Sequence, residues 1–322
     1  MRVGIVCILL AASAAGGFVS SQAAAQEAGL HASADWLNWK ARRRDMDFVI
    51  VDPNTDTDVQ GNQIDLNYDR NSGARVEVGY RFKSRWDFSV GYQNFSTNDQ
   101  LLIAQPAGGQ LWATRIHPDS VVGSHAATSA EGRASLDYDV LDFTVSRQFT
   151  MDRCQRIDFT LFGGFRYGKI DQTLNLVYLD SVNSRSATIN DEIKLDGYGI
   201  RAGGQLEADV IGGLSVFGRG AFSVLAARSN AHYTETDVSG AGTTDLVDVS
   251  ESYYQAVPVI ETALGVTIRR GYWQVAGGYE MALWGNVGER RDYCDDVDDQ
   301  KFSCPSSDLI LDGFFLRLAY NR

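Results

Sequence analysis

Residues 74–95 read ARVEVGYRFKSRWDFSVGYQNF, and the way they face decides the fold. Ala74, Val76, Val78, Tyr80 and Phe82 are apolar, while Arg75, Glu77, Gly79 and Arg81 between them are not. After three polar residues the alternation restarts, with Trp86, Phe88, Val90 and Tyr92 set against Asp87, Ser89, Gly91 and Gln93. A period of two on both sides of a tight turn predicts a β-hairpin with one apolar and one polar face. In a soluble barrel the apolar face is the core. In a membrane barrel it meets lipid and the charges line the bore.

The same pattern runs through the chain. Leu141, Phe143 and Val145 alternate with Asp142, Thr144 and Ser146. Ile157, Phe159, Leu161, Phe165 and Tyr167 alternate with Asp158, Thr160 and Arg166. Further runs occupy 200–210, 214–224, 260–268 and 273–283. Near Val140 the phase slips by one, which predicts a bulge, and the first strand alternates poorly. Ten strands are predicted, at roughly 29–40, 64–82, 86–98, 131–148, 156–176, 192–210, 213–226, 251–268, 271–285 and 308–321. The connections at 83–85, 150–155, 211–212 and 269–270 are short, and those at 41–63, 99–130, 177–191, 227–250 and 286–307 are long and polar. Strict alternation of short and long predicts an all-β, transmembrane up-and-down antiparallel β-barrel of about ten strands, with short periplasmic turns and long extracellular loops.

Aromatic residues gather at the short-turn end. Tyr80, Phe82, Trp86 and Phe88 flank one turn, Tyr272 and Trp273 follow another, and Tyr320 closes the last strand. They form a candidate interfacial girdle. The polar face carries Arg75, Arg81, Arg166, Arg201, Arg219 and Arg317 together with Glu77, Asp87, Asp142, Asp158, Glu207, Glu261 and Glu280. An Arg or Lys facing lipid near the midplane costs roughly 2–4 kcal/mol. The charges therefore belong in the lumen, where the two signs can pair, and the apolar face points out. Opposed charges in a pore tune ion selectivity. Yet barrels of about eight strands hold only side chains, and open porins use about sixteen. A narrow pore and a salt-bridged plug both stay open.

The ends and the composition bound the rest. Met1-Arg2, the apolar run from Val3 to Leu10 and Ala23-Ala24-Ala25 predict a secretory signal over 1–25, with one barrel domain over 26–322. That run is too short to span a bilayer, and no later apolar stretch is long enough for a transmembrane helix. A net charge of −12 excludes the basic footprint of a nucleic-acid binder. Cys294 and Cys304 bracket a short polar loop, so in an exported protein they are expected to pair, leaving Cys154 over. No zinc spacing occurs, and no metal or cofactor is expected.

Several short motifs carry bland readings. Gly197-Tyr198-Gly199-Ile200-Arg201-Ala202 satisfies G-x-G-x-x-A, but it lies in a predicted strand without the helix that would hold a pyrophosphate. Pro258 interrupts an alternating strand and predicts a bulge or a local edge. His117-Pro-Asp119-Ser120 and Ser124-His125 offer base, acid and nucleophile types, and His31 and His232 stand alone. A triad needs rigid geometry, so the loop groups read as solvated and no catalytic residue is expected. Asp295-Asp296-Val297-Asp298-Asp299 lacks the spacing of a calcium loop and reads as an acidic tip. Arg42-Arg43-Arg44 reads as a solvated charge run, with outer-leaflet headgroups as the alternative partner.

Several segments, in order, resemble the Legionella-type pore-forming outer-membrane protein family. They are Ala34-Asp35-Trp36-Leu37-Asn38-Trp39-Lys40, Asp137-Tyr138-Asp139-Val140-Leu141-Asp142, Gly163-Gly164-Phe165-Arg166-Tyr167 and Asp196-Gly197-Tyr198-Gly199-Ile200-Arg201-Ala202-Gly203. Val257-Pro258-Val259-Ile260-Glu261, Gly278-Tyr279-Glu280 with Trp284-Gly285-Asn286-Val287, and Leu311-Asp312-Gly313-Phe314-Phe315-Leu316-Arg317 resemble its closing strands. The resemblance implies an outer-membrane β-barrel with a porin-like role and no catalytic residues. Its partners would be outer-membrane lipid, the barrel assembly machinery, and ions or small hydrophilic solutes. The ending Ala319-Tyr320-Asn321-Arg322 departs from the terminal aromatic that this machinery reads in many barrels. The expected function is a passive channel; a structural or adhesive surface barrel with a plugged lumen is the alternative.

Overall fold

Tight turns set the strand pairing at one end of the molecule. Gly212 and Gly213, with φ of 56° and 86°, join β9 (Arg185–Ile211) to β10 (Leu214–Ser239). Gly271, with φ of 60°, lies between β11 (Gly242–Arg270) and β12 (Trp273–Glu289). Positive φ matches the right-handed twist of the flanking strands, and glycine adopts it without a steric penalty. β4 (Arg70–Arg81) and β5 (Trp86–Ala104) meet in a turn closed by Phe82 N–H donating to the Trp86 carbonyl at 2.8 Å.

With β1 (Gly29–Arg42), β7 (Ser129–Thr150), β8 (Ile157–Asp180) and β15 (Ser306–Asn321), these strands form a closed antiparallel barrel. Its order is β1-β15-β12-β11-β10-β9-β8-β7-β5-β4, and β1 pairs with β15 to close it. The computed structural model describes residues 28–56, 58–123, 127–150, 157–289, 292–293, 302–303 and 306–322. The expected signal over 1–25, Cys154, Cys294, Cys304, Ser124, His125 and the acidic run 295–299 lie outside the described residues.

Towards the short turns the apolar face points outward. Val76, Val78, Val90, Phe143, Phe165, Ile200, Val216, Phe222, Ile260 and Leu264 are all exposed. On β9 the outward band runs from Tyr198 to Val210. The twelve residue-to-residue steps of this run, at about 3.3 Å each and tilted by about 40°, span roughly 30 Å, close to the lipid-facing band of known barrels.

Beyond that band the facing inverts. Inward residues become apolar: Leu37, Trp39, Phe95, Tyr138, Ile170, Leu195, Leu225, Val259 and Trp284 are buried almost completely. Outward residues become polar, among them Asp139, Lys169, Asp196 and Arg228. This inversion corrects two expectations. The strand around Val140 has no bulge, because β7 pairs residue by residue with both β5 and β8 without a register shift. Tyr138 and Val140 face the same interior as Asp142 and Thr144; the content of the interior changes, not the phase. β1 likewise alternates regularly, with Asp35, Leu37 and Trp39 all inward.

The strands also run further than the polarity suggested. β8 and β9 continue to the turn at 181–184, and β10 and β11 to the turn at 240–241, so most of 177–191 and 227–250 is strand rather than loop. Their outward polar residues face solvent above the lipid band and their inward residues fill a core. Pro258 marks a local edge: the β11–β12 ladder reaches Val259–Trp284 and goes no further towards it. The G-x-G-x-x-A run lies within β9, where a Cβ on Gly199 would stand 1.9 Å from the Val224 carbonyl oxygen of β10.

A small sheet fills the projecting end of the bore. β2 (Asp47–Asp52), β3 (Asn62–Asp65) and β6 (Gln110–Ala113) pair in the order β3-β2-β6. Phe48, Val49 and Leu111 of this plug are fully buried. A short β13 (Asp292–Tyr293) and β14 (Phe302–Ser303) pair beyond β12.

Candidate functional site

The site is the bore, and it has a charged lower half and an apolar upper half. Inward positions on a closed sheet converge on one axis, so side chains distant in sequence meet there. Asp35 of β1 has a fully buried carboxylate. It accepts two hydrogen bonds from Arg317 at 2.8 Å and one from Arg75 at 3.0 Å. Arg75 also holds Glu280 at 2.7 Å and Gln93 at 2.9 Å. A second cluster forms across β7, β8, β9 and β11. Arg166 clasps both Asp142 oxygens at 2.7 Å and reaches Glu261 at 3.0 Å, while Arg201 holds the other Glu261 oxygen at 2.8 Å. Nearer the short turns, Asp87 pairs with Arg81 at 3.3 Å and with His31 at 2.9 Å, and Glu207 pairs with Arg269.

Of the thirteen charged residues expected on the polar face, ten make ion pairs within the bore and Glu77 and Arg219 line its cavity, while Asp158 lies on the Arg166 face of β8. Glu77, Asp158 and Arg219 differ from the rest in making no hydrogen bond or ion pair to a described residue. Sequence reasoning missed Asp35, His31 and Arg269. Asp35 was hidden by the apparent irregularity of the first strand, and Arg269 by its place next to a turn. The aromatics Tyr80, Phe82, Trp86, Phe88, Tyr272 and Trp273 are exposed around the short-turn end, where Tyr272 and Trp273 stack against Tyr320. A second outward ring was also missed. Tyr92, Tyr167 and Tyr279 donate their hydroxyls to Asp139, Asp196 and Asp312 at the upper edge of the apolar band. For Tyr92 and Tyr167 the signal is a polar outward residue two positions on, Asn94 and Lys169; Tyr279 is followed by Met281 and carries none.

Above the charges, aromatic side chains cross the bore. Trp39 packs against Phe95 and Tyr138, with centroids 5.8 and 6.2 Å apart, and Tyr138 meets Trp284 edge-on at 5.6 Å. Trp284 belongs to β12, yet a Cβ on Gly168 of β8 would stand 2.6 Å from its ring. Three strands separate β12 from β8 in the ring order. One indole therefore spans the bore from wall to wall. At this level the inward side chains of β1, β5, β7, β8, β9, β10, β11, β12 and β15 are closed to water, and above it the burial continues along β7, β8 and β10.

The plug is fastened to the wall by polar contacts. Arg115 donates to the Asp47 carbonyl at 2.7 Å, and Tyr233 of β10 donates to the Arg115 carbonyl at 3.0 Å. His117 N–H reaches both oxygens of Glu235 at 3.0 Å, Ser120 donates to Asp237 at 2.9 Å, and Val121 N–H donates to Asp237 at 2.7 Å. His117 and Ser120 are thus buried anchors, not the solvated loop groups expected; the inverted interior of β10 gives them acceptors. His232 is an exposed outward residue paired with Asp248 at 3.0 Å. Burial, aided by the nearby Asp237 charge and opposed by the His117 N–H, lifts the Glu235 carboxyl to about 7.

The arginine triplet divides as well. Arg42 faces outward to Asp312 and Arg44 is exposed, but Arg43 turns inward, donating to Asp45 and, at 3.1 Å, to Gln172. Burial disfavours the Asp45 charge, but Arg43 outweighs it and holds that carboxyl below its ordinary range.

The family described as Legionella pneumophila major outer membrane protein precursor matches residues 23–322. No curated protein matches the sequence. Among solved structures, the outer membrane protease OmpT of Escherichia coli is similar, at 10% identity over 91% of this chain and 97% of that one, with a TM-score of 0.47. The attachment invasion locus protein Ail of Yersinia pestis is similar at 9% identity over 91% and 97%, with a TM-score of 0.24. A FadL homologue of Pseudomonas aeruginosa follows at 7% identity over 92% and 90%, with a TM-score of 0.23.

Proposed function

The chain belongs to the Legionella pneumophila major outer membrane protein family, and we propose that it is a surface barrel of the bacterial outer membrane with a closed bore, whose working part is the wall that projects beyond the lipid. One observation carries this reading: the indole of Trp284 crosses the bore and packs against Tyr138 and Gly168, beneath a plug whose Phe48, Val49 and Leu111 are fully buried. A solute would have to displace a packed core. The projecting wall presents charged and polar outward residues such as Lys194, Arg228 and His232, the chemistry of an adhesive or structural surface.

A second reading, a channel for ions or small hydrophilic solutes, is favoured by the charged lower bore. It requires the plug to move. Purified protein in a planar bilayer separates the two. The closed reading expects silence at high protein; stepwise conductance would establish the channel and end the closed reading. A membrane-impermeant amine reagent should label Lys194 on intact cells if the projecting wall is extracellular.

A further inference from the structure

The lower bore is a blind vestibule. Inward residues such as Thr144, Ser146, Gln205, Glu77 and Arg219 keep partial access to water, whereas Trp39, Leu225 and Val259 above them have none or almost none. The wet part of the bore therefore lies on the short-turn side of Trp39, beside the walls that carry Glu77, Thr144, Ser146 and Gln205, while Ser215, Thr267 and Ala319 nearer the turns are buried. At its head lies a cavity of about 50 Å³, lined by Trp39, Arg75, Glu77, Arg201, Arg219 and Glu261 among others. One water centre needs roughly 10–15 Å³, so the cavity has room for a few heavy atoms.

Most charges around this cavity are already neutralised. Glu261 is held by Arg166 and Arg201, Glu280 by Arg75, and Asp142 by Arg166. Two are not. Arg219 makes no hydrogen bond or ion pair to a described residue; its guanidinium lies 5.0 Å from the Phe162 ring, which Arg201 shares at the same distance. Glu77 also makes none. The ring order puts their strands, β10 and β4, on opposite walls of the barrel. A guanidinium whose nearest partner is an aromatic face and a carboxylate without a contacting cation thus lie on opposite walls of one cavity, with no ion pair between them.

A half-buried charge without a contacting partner loses part of its hydration, and a ligand that brings a partner of opposite sign relieves it. A single anion would satisfy Arg219 but place a second negative charge before Glu77; a single cation would do the reverse. We propose that the head of the vestibule binds a small zwitterion of the amino-acid type, with its carboxylate on Arg219 and its ammonium group on Glu77. The site goes beyond the proposed function and needs no open bore, so bilayer silence leaves it standing.

Glycine, the smallest such probe, tests it. The full chain in detergent micelles, labelled with ¹⁵N-arginine, is titrated with glycine, acetate and methylammonium at constant ionic strength. Glycine is expected to shift the Arg219 Nε–H resonance, identified by its loss in Arg219→Gln, along a saturating curve. Acetate and methylammonium should bind at least about tenfold more weakly, since each makes only one charge-assisted contact. Glu77→Gln should remove the preference for glycine over acetate. Acetate binding as tightly as glycine, or a glycine shift that never saturates and spreads equally to exposed Arg147, would overturn the proposal. If either variant fails to insert, the comparison of the three probes on the unaltered protein still decides it.

Discussion

Replacing Glu261 by Gln tests whether the lower bore is held by its ion pairs or merely filled by them. Glu261 binds Arg166 through one oxygen and Arg201 through the other, at 3.0 and 2.8 Å. Arg166 keeps both Asp142 oxygens at 2.7 Å when Glu261 is neutralised, but the nearest carboxylate left to Arg201 is Asp142 at 3.8 Å. The Arg201 side chain is 5% exposed, so its charge has little recourse to water. Orphaning one member of a buried pair costs about 3–5 kcal/mol. Because Arg166 stays paired and the vestibule below is wet, the low end, about 3 kcal/mol, applies. Urea unfolding in micelles, followed by tryptophan fluorescence and heat-modifiable gel mobility, measures it against Glu192→Gln. That control breaks a pair with Lys194 in which both side chains are largely exposed, and such pairs contribute little. A second change, Arg201→Gln on top of Glu261→Gln, should recover part of the loss, with a coupling of at least about 1 kcal/mol. If Glu261→Gln destabilises no more than Glu192→Gln, the ion pairs do not hold the bore.

Further predictions concern the other zones. Gly168→Ala drives a Cβ to within 2.6 Å of Trp284; overpacking should cost about 1–3 kcal/mol and be relieved in the Gly168→Ala/Trp284→Phe pair, measured as a double-mutant cycle. Phe222→Arg puts a charge in the middle of the lipid-facing band of β10 and should cost about 2–4 kcal/mol in bilayer unfolding. Glu235 gives the plug a pH dependence. Its folded pKa is about 7 against an ordinary 4.5, so the folded state holds that proton to higher pH than the unfolded chain and stability falls as pH rises through this window, by up to about 3 kcal/mol. Amide hydrogen exchange at 115–122 should accelerate between pH 5 and pH 8 beyond its intrinsic rate, and Glu235→Gln should abolish the excess.

The lipid-facing half of the molecule was legible because two signals agreed there. Val76, Phe88 and Val216 fall on one face by period, and Arg75, Asp142 and Arg166 fall on the other by the cost of charge in lipid. The projecting half was not legible as structure, because the residue types that mark each face exchange places at the lipid boundary. Leu136, Tyr138 and Val140 follow the phase of Asp142, so the strand reads as slipped when it is straight. The polar outward residues of 177–191 and 227–250 gave these segments the composition of loops. The partners of the inward charges were out of reach for another reason. Arg75–Glu280 and Arg166–Glu261 are contacts across the bore, set by barrel closure and strand stagger, which local period does not encode.

The inversion also bears on whether the bore can open. A strand within the membrane hides its outward apolar face in lipid and needs no apolar interior. A strand that projects beyond the lipid has water on its outer face, so its only apolar burial is inward. β10 makes the point: Phe222 and Val224 face lipid, but above them Leu225, Ala227 and Tyr233 are buried against the plug and the opposite wall. The plug is then the core of the projecting wall rather than an added gate. Removing it would expose Leu111, Phe48 and Val49 together with the inward faces of four long strands, and each buried large side chain contributes about 1.5–3 kcal/mol. Opening by displacing the whole plug would therefore unfold the wall with it. A conducting state, if one exists, must pass along the plug's polar seam, where Arg115, His117 and Asp237 meet the barrel, and conductance that rises with pH in parallel with exchange at 115–122 would be its signature.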